Sequence, residues 1–418
     1  MRYKITGGKP LKGTLFVQGS KNAALPMIAA ALLPKKGQTV LKNVPPLNDI
    51  KVLIQIAESI GAKLTYFEDK RILVIDAEGI NNSVLDSELS NKLRASILFL
   101  PVILHRLGKV EINGAGGCSL GRKLDFHYNG FKRLGAKVDI KSDDKLKITA
   151  KKLVGNVVYS DIPSWTGTEN LIMAASLAKG KTTIENAASE PEIVDFANML
   201  IQMGAKIYGA GTQTITVEGV AELNPVEYRV LPDRLDAGTF MIGAAMTQGD
   251  ITLIGADLDC MKILKIKLEQ MGATVENNGK TIRVKGLKQR PRPINIVTWP
   301  YPGFATDLLP AMMAFSALAD GTSYLRENVY ESRFSQADGL NSFGAKITAQ
   351  GNVATVEGVD KLRGASVSAP DLRAGMAYVL AGLAAEGETI IDNIYQIERG
   401  HSNTVERLKN LGADISLF

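Results

Sequence analysis

The chain has 418 residues, of which 45% are hydrophobic, and this size predicts a globular protein with two or three domains. Its two cysteines exclude a disulfide scaffold. The N-terminus has no apolar signal-peptide core, and the longest apolar stretches are about half a membrane span, so we expect a cytoplasmic protein without a membrane partner. The net charge of +6 points only weakly to anionic partners.

A Gly-Ala pair followed by a polar residue and a β-branched or Leu residue recurs roughly every 70 residues, which predicts six structural repeats. Its glycines are Gly61, Gly135, Gly204, Gly272, Gly344 and Gly412. A second mark, a Gly before a short β-branched run that usually ends in Asn, keeps the same spacing. Its glycines are Gly37, Gly108, Gly180, Gly249, Gly321 and Gly387.

Each repeat contains the same predicted elements in chain order. An Ala-rich helix without a polar face comes first, and such a helix is buried on all sides. An amphipathic helix follows, and the Gly of the Gly-Ala pair ends it in the left-handed conformation. Alternating strands complete a short sheet. The six apolar helices are predicted at 23–33, 95–104, 171–178, 239–246, 308–318 and 374–385. Three repeats can close around three such helices, which predicts an α/β protein of two similar domains.

A basic chain with six repeats could also be a DNA sliding clamp. A clamp would carry Lys or Arg at the same place in every repeat, to line a ring around the phosphate backbone. The corresponding positions here differ from repeat to repeat, so we expect no nucleic-acid partner.

Polar residues cluster where the six apolar helices begin, and each repeat carries a different set. They are Lys21 and Asn22; Arg94; Ser164 and Thr166; Arg234 and Asp236; Thr306 and Asp307; and Asp371 and Arg373. This variation predicts one asymmetric site on a repeated scaffold, and helix N-termini favour bound anions. Ser164 and Asp371 could equally be ordinary N-caps. Lys21, Arg94 and Arg373 oppose the helix dipole, which favours a functional role.

Residues 114–123 contain four glycines and one cysteine, Cys118, close to two cations, Arg122 and Lys123. Neighbouring positive charges stabilise a thiolate, so this pattern predicts a mobile lid with a reactive sulfur. Cys260, between Asp259 and Met261, is instead predicted to be a small buried hydrophobic residue.

Together these segments resemble the enolpyruvyl transferases, essentially from end to end, and in particular those that act on UDP-N-acetylglucosamine. The segments that carry the resemblance are 19–26 (GSKNAALP), 93–96 (LRAS), 116–118 (GGC), 190–195 (EPEIVD), 228–234 (YRVLPDR), 306–307 (TD), 371–374 (DLRA) and 398–400 (ERG). The resemblance implies a two-domain inside-out α/β barrel with six βαβαββ repeats, three per domain. It places one domain at 21–230 and the other at 1–20 plus 231–418, with the site in the cleft.

The implied reaction transfers the enolpyruvyl group of phosphoenolpyruvate to the 3′-hydroxyl of UDP-N-acetylglucosamine and releases phosphate. In the family this is the first committed step of peptidoglycan synthesis, hence of cell-wall biogenesis, and a target of fosfomycin. It proceeds by addition and elimination with no metal, organic cofactor or obligate protein partner. It requires a base, an acid, and cations around the anionic phosphoenolpyruvate.

Site residues follow from the resemblance at the matching positions. The implied catalytic residues are Asp307 as base, Cys118 as proton donor, and Lys21. The implied phosphoenolpyruvate-binding residues are Lys21, Asn22, Arg122, Arg333, Arg373 and Arg399. The implied contacts to UDP-N-acetylglucosamine are Asn22, Arg94, Arg122, Lys123, Leu124, Asp125, Phe126, Ser164, Trp165, Asp307 and Val329. His127 also matches a family position, but a single His near a helix start is as often structural as catalytic.

The departures from the family fall mostly on the side of the uracil base. Residues 118–127 are one residue shorter than the usual segment and lack its Pro, and the bulky Trp165 follows Ser164. Either a repacked pocket holds the same substrate, with Trp165 stacked on the base, or the acceptor is a different nucleotide or nucleotide sugar. A non-catalytic ligand-binding homologue is a third possibility, against which the retained Lys21, Cys118, Asp307 and Arg399 argue.

Overall fold

A computed structural model of the chain describes residues 1–113, 124–140, 145–279, 281–330 and 333–418. The chain divides into two packed units. Residues 19–231 form the first, here called the central unit, and residues 1–18 with 232–418 form the second, the terminal unit. In the described part of the chain, no helix is long and apolar enough to cross a membrane.

The strands are short, most of them three to five residues, and most alternate buried and exposed side chains, as expected for a sheet with one face in the core. They are β1 (Tyr3–Thr6), β2 (Lys12–Phe16), β3 (Gln38–Lys42), β4 (Lys63–Phe67), β5 (Ile72–Asp76), β6 (Val84–Leu85), β7 (Lys109–Asn113), β8 (Lys137–Ile140), β9 (Lys145–Thr149), β10 (Val157–Tyr159), β11 (Lys181–Glu185), β12 (Lys206–Tyr208), β13 (Thr214–Glu218), β14 (Glu227–Arg229), β15 (Asp250–Ile254), β16 (Thr274–Asn277), β17 (Thr281–Lys285), β18 (Asn295–Val297), β19 (Thr322–Arg326), β20 (Lys346–Gln350), β21 (Val353–Glu357), β22 (Ser366–Ser368), β23 (Glu388–Asp392) and β24 (Asp414–Leu417).

The helices of the described residues are either interior, and almost wholly buried, or outer, with only part of their residues buried. They are α1 (Lys21–Ala30), α2 (Asn48–Ser59), α3 (Ser87–Lys92), α4 (Phe99–Leu107), α5 (Asp125–Arg133), α6 (Trp165–Ser176), α7 (Pro191–Gln202), α8 (Arg234–Met246), α9 (Lys262–Met271), α10 (Leu309–Ser316), α11 (Ala337–Ser342), α12 (Leu372–Ala384), α13 (Tyr395–Glu398) and α14 (Thr404–Asn410). Two 3₁₀ turns, Arg94–Leu98 and Thr306–Leu308, lead directly into α4 and α10.

The strands pair into four-stranded sheets that share one connection pattern. The central unit has the orders β14-β3-β5-β4, β6-β7-β9-β8 and β10-β11-β13-β12. The terminal unit has β2-β15-β17-β16, β18-β19-β21-β20 and β22-β23-β1-β24. In each sheet the first strand runs parallel to the second, and the remaining pairs are antiparallel. Pairing of the N-terminal β1 with β23 and β24 places the two ends of the chain in one sheet.

The apolar helices are buried as their composition predicts. Every residue of α10 is buried, as are Ala23–Ala30 of α1 and Arg373–Leu383 of α12. They form the centres of two separate hydrophobic cores, one confined to each unit. Because these helices have no polar face, their polar side chains can reach solvent only at the helix ends.

The Gly-Ala glycines have the predicted left-handed conformation. All six have positive φ, from 85° at Gly412 to 110° at Gly272. Gly272 follows the last residue of α9, and its N–H donates to the carbonyls of Leu268 and Glu269. Since a side chain at such φ is strained, this position requires glycine.

Three glutamates lie inside the central unit: Glu169 of α6, Glu190 at the start of α7, and Glu192 in its first turn. The Glu169 side chain is only 1% exposed, and within the described residues its Oε1 accepts no hydrogen bond. Burial raises the pKa of Glu169 well above its usual value, and the charges of Glu192 and Glu190 raise it further. The folded protein therefore favours the neutral acid at this position.

Glu169→Gln tests this interpretation, because glutamine imitates the neutral acid at every pH. The folded wild type holds a proton that the unfolded chain releases near pH 4, so wild-type stability falls as pH rises towards the raised pKa. The slope is at most about 1.4 kcal/mol per pH unit for one proton. We expect the variant to be more stable than the wild type at pH 8 and the difference to shrink towards pH 5, in urea unfolding.

The control is Glu218→Gln, which changes an exposed glutamate on β13 of the same unit. Its unfolding midpoint should follow that of the wild type at every pH. If the unfolding midpoint of Glu169→Gln also followed that of the wild type at every pH, Glu169 would not be a neutral buried acid.

Candidate active site

In the terminal unit, the carboxylate of Asp307 lies beside two buried guanidinium groups. Nη2 of Arg333 donates to Asp307 Oδ1 at 2.8 Å, and Nε of Arg373 lies 3.9 Å from the same oxygen. The Arg333 side chain is 4% exposed and that of Asp307 is 28% exposed. This carboxylate is partly exposed and can be reached from solvent, as a general base must be. The predicted base and two of the predicted cations therefore lie together.

Helix ends position these side chains. Asp307 lies in the 3₁₀ turn before α10, and Arg373 is the second residue of α12. Asp371 caps α12, because its Oδ1 accepts from the N–H of Arg373 at 2.9 Å and of Ala374 at 3.1 Å. Its other oxygen, Oδ2, accepts from Arg373 Nη2 at 3.1 Å. The structural interpretation of Asp371 is thus correct, and the same carboxylate also orients a candidate binding cation.

Glu327, which the sequence analysis does not name, fixes the position of several residues in this cluster. Its side chain is 2% exposed and accepts from the hydroxyls of Thr298 at 2.7 Å and Thr306 at 2.6 Å. Thr306 Oγ1 in turn accepts from Arg333 Nη1 at 2.5 Å. Glu327 also accepts from the backbone N–H of Val329 at 2.7 Å. One buried carboxylate therefore fixes both the Arg333 guanidinium and the backbone at the predicted acceptor contact Val329.

One sequence signal distinguishes Glu327. It lies six residues after Gly321, at the place where the second mark has Asn43, Asn186 and Asn393 in other repeats. The fold shows what this exchange does, because Glu327 receives a fourth donor, the N–H of Tyr330 at 3.1 Å.

Arg399 directly follows α13, and its Nη1 donates to Oε1 of Gln396 at 3.2 Å. It lies in the same unit as Asp307, Arg333 and Arg373.

In the central unit, Lys21 is the first residue of α1, and its Nζ lies 3.2 Å from Asp49 Oδ2. Ser20 caps the helix by accepting from the N–H of Ala23 at 3.4 Å. The half-buried Asn22 follows Lys21. Asp49 offsets the unfavourable interaction of Lys21 with the helix dipole. The position of Lys21 therefore has a structural basis as well as the predicted functional one.

The predicted contacts on the nucleotide side lie on two adjoining helices, α5 and α6. Leu124, Asp125 and Phe126 are at the start of α5, and Ser164 caps α6 by accepting from the N–H of Gly167 at 3.4 Å. A Cβ atom added to Gly167 would lie 1.4 Å from Cε1 of Phe126, so only glycine permits this approach. The approach brings the 124–126 segment beside the segment of Ser164 and Trp165.

His127 is structural in this arrangement. Burial, with a smaller contribution from the charge of Arg94, lowers the pKa of His127 to about 3. Asn170 Nδ2 donates to the carbonyl of Ile97 at 3.1 Å and lies 3.0 Å from His127 Nδ1. That amide orientation makes Nδ1 an acceptor and assigns the proton to Nε2. A neutral ring held this way is a poor general acid or base at neutral pH. Arg94 itself opens the 3₁₀ turn before α4.

Three predicted site residues, Cys118, Arg122 and Lys123, lie outside the described residues. The prediction for the second cysteine is wrong, since Cys260 is not buried. It is half-buried in a 3₁₀ turn, and its Sγ lies 3.5 Å from Asp257 Oδ2. The turn buries the side chains of Leu258 and Met261, whereas the side chain of Cys260 stays partly exposed to solvent.

Comparison with known proteins identifies the family of this chain. The family model of EPSP synthase (3-phosphoshikimate 1-carboxyvinyltransferase) matches residues 5–408. A protein of Thermobifida fusca named UDP-N-acetylglucosamine 1-carboxyvinyltransferase is 51% identical, over 99% of this chain and 98% of its own. A protein of the same name from Trichlorobacter lovleyi is 46% identical, over 98% and 97%.

Solved structures show the same mixed α/β fold. The enolpyruvyl transferase NikO from Streptomyces tendae superimposes with a TM-score of 0.89 at 24% identity, over 99% of this chain and 98% of its own. An EPSP synthase from Acinetobacter baumannii gives 0.78 at 21% identity, over all of both chains. At these identities the likeness concerns the fold alone. The family model and the full-length relatives confirm the resemblance seen in the sequence: this chain belongs to the EPSP synthase family of enolpyruvyl transferases.

Proposed function

We propose that this protein transfers the enolpyruvyl group of phosphoenolpyruvate to the 3′-hydroxyl of UDP-N-acetylglucosamine and releases phosphate. This would make it a cytoplasmic enzyme of the first committed step of peptidoglycan synthesis, and so of cell-wall growth and division. Full-length relatives with that named activity support the proposal. The observation that carries it is the accessible carboxylate of Asp307 beside the guanidinium groups of Arg333 and Arg373.

In the proposed reaction, Asp307 accepts the proton of the sugar hydroxyl as its oxygen attacks C2 of phosphoenolpyruvate. A proton from Cys118 reaches the methylene carbon C3, which gives a tetrahedral intermediate. Loss of a proton from C3 then restores the double bond as phosphate leaves. Bidentate arginines suit both the carboxylate and the phosphate of the substrate.

The remaining site assignments stay proposals. Those for phosphoenolpyruvate are Lys21, Asn22, Arg122, Arg333, Arg373 and Arg399. Those for the nucleotide sugar are Asn22, Arg94, Arg122, Lys123, Leu124, Asp125, Phe126, Ser164, Trp165, Asp307 and Val329. We likewise propose that each unit is an inside-out barrel of three βαβαββ repeats, that the domains divide at residues 20–21 and 230–231, and that the reaction needs no cofactor.

A different nucleotide or nucleotide sugar as acceptor is the second candidate. It is favoured by the position of the bulky Trp165 at the first residue of α6, next to the closely packed Phe126 and Gly167. Changes on this side would alter the acceptor and leave the phosphoenolpyruvate cations untouched.

Phosphate release distinguishes the candidates. We expect release from phosphoenolpyruvate with UDP-N-acetylglucosamine, and none with UMP, other UDP-sugars or shikimate 3-phosphate. Release with another nucleotide alone would make Trp165 part of a specificity change. No release with any acceptor would indicate a ligand-binding homologue and contradict the proposal.

Asp307→Asn should lower kcat by about 10²- to 10⁴-fold, since the amide cannot accept the proton. Acceptor affinity, measured by calorimetry, should change by only a few-fold, because the amide keeps the size and one acceptor oxygen. The control Asp320→Asn alters an exposed carboxylate near Arg290 in the same unit and should leave kcat within about twofold. Normal turnover of Asp307→Asn would remove it from the role of base.

Fosfomycin, an epoxide analogue of phosphoenolpyruvate, should alkylate Cys118 when the acceptor is present. The thiolate sulfur attacks an epoxide carbon, the C–O bond opens, and the oxygen takes up a proton. Intact-mass spectrometry should show one adduct on the wild type and on Cys260→Ser, and none on Cys118→Ser. An unmodified wild type would contradict the assignment of a reactive sulfur.

A further inference from the structure

The residues around Arg399 are bonded to elements distant in the chain. The hydroxyl of Tyr3 in β1 donates to Glu398 Oε1 at 3.3 Å. On the other side of Arg399, the carbonyl of Gly400 accepts from Nε2 of Gln18 at 3.0 Å. The backbone directly after Arg399 is therefore held by Gln18, and the side chain of the residue before it is held by Tyr3.

Gln18 makes this attachment with both ends of its amide. While Nε2 donates to Gly400, Oε1 accepts from Ser402 Oγ at 2.6 Å and from the Ser402 N–H at 3.3 Å. The side chain is 0% exposed, and the Gln18 carbonyl accepts from the N–H of Asp233 at 2.8 Å. The buried amide of Gln18 thus spans the segment 400–402, and the backbone of the same residue is bonded to Asp233, which caps α8.

A second attachment holds the residue between them. His401 Nδ1 lies 3.1 Å from Oδ1 of Asp236 in α8, and Arg407 of α14 pairs with both oxygens of this carboxylate, at 2.8 and 2.5 Å. Burial alone would raise the pKa of Asp236, but Arg407 and the hydrogen bond from His401 lower it below the usual value. The carboxylate is therefore ionised and acts as a fixed anchor for His401.

We propose that Gln18 is a positioning residue for phosphoenolpyruvate binding, which acts by fixing the loop that presents Arg399. The proposal rests on the proposed function, in which Arg399 contacts phosphoenolpyruvate. A long arginine side chain keeps its guanidinium in place only if its backbone is fixed, and misplacement of a binding group by about 1 Å can cost 100-fold in rate. A buried glutamine far from Arg399 in the chain is thereby linked to the binding of phosphoenolpyruvate and not to that of the acceptor.

Gln18→Met tests this, because methionine has nearly the same shape and removes all three hydrogen bonds of the side-chain amide. We expect the KM for phosphoenolpyruvate to rise about tenfold or more, as loss of two backbone-fixing hydrogen bonds allows. The KM for UDP-N-acetylglucosamine should stay within about twofold, since other bonds fix the predicted acceptor contacts Ser164 and Val329. Ser402→Ala removes only the 2.6 Å bond and should give a smaller change of the same kind.

Asn341→Met is the matched control. The amide of Asn341 bonds both the N–H and the carbonyl of Ile347 at 2.9 Å in the same unit, so its loss also removes bonds from a side-chain amide to the backbone, here partly buried. Its Tm should fall while both KM values stay at the wild-type level. If Asn341→Met also raised the KM for phosphoenolpyruvate alone, the effect of Gln18 would be general destabilisation and the proposal would be wrong.

A double-mutant cycle with Arg399→Ala completes the test. If Gln18 acts through Arg399, Gln18→Met should add nothing to the loss already caused by Arg399→Ala. Additive losses, or an equal rise of both KM values, would overturn the positioning role. If Gln18→Met does not fold, the same cycle with Ser402→Ala decides. A wild type that is inactive with every acceptor would overturn the proposed function, and with it this proposal. An active wild type, together with a Gln18→Met variant whose KM values equal those of the wild type, would overturn this proposal alone.

Discussion

Burial of the apolar helices on all sides is the constraint on which the rest of the molecule depends. A helix such as α10, with every residue buried, offers no face on which a catalytic group could stand in water. Polar side chains can reach solvent only from its ends, and at the N-terminal end unpaired N–H groups favour anions. Asp307, Lys21 and Arg373 all lie within a residue or two of such an end. The position of the candidate site therefore follows from how the cores are filled.

Cations at helix N-termini, and arginines buried to more than nine-tenths, need compensation, and this protein supplies it with carboxylates. Lys21 lies beside Asp49, and Arg373 lies between Asp371 and Asp307. A buried charge left without its partner costs several kcal/mol, so these pairs stabilise the fold in the absence of substrate. Structural and functional explanations of the same residue are consequently not alternatives here. Asp371 is an N-cap and also orients a candidate binding cation.

The sequence predicts what is local and misses what is brought together from afar. The left-handed glycines and the apolar helices follow from short patterns, because one turn or one helix determines them. Glu327 and Gln18 are not predictable in this way. Gln18 bonds Ser402, 384 residues later in the chain, and Glu327 bonds the hydroxyls of Thr298 and Thr306, 29 and 21 residues earlier. The prediction that Cys260 is buried is wrong for a related reason, because the exposure of one residue in a turn depends on how its neighbours pack.

Different forces fix the two groups of candidate binding residues. Charge pairs and buried carboxylates hold Arg333 and Arg373, and moving any one partner leaves a charge without compensation. Close packing of Phe126 against Gly167 fixes the 124–126 segment. The neutral pair of His127 and Asn170 fixes the residue that follows it. An apolar contact of this kind can be rebuilt by side chains of similar volume at a modest cost. Sequence change on the acceptor side, including a residue as large as Trp165, can therefore accumulate while the charged side, which has no such freedom, keeps its residues.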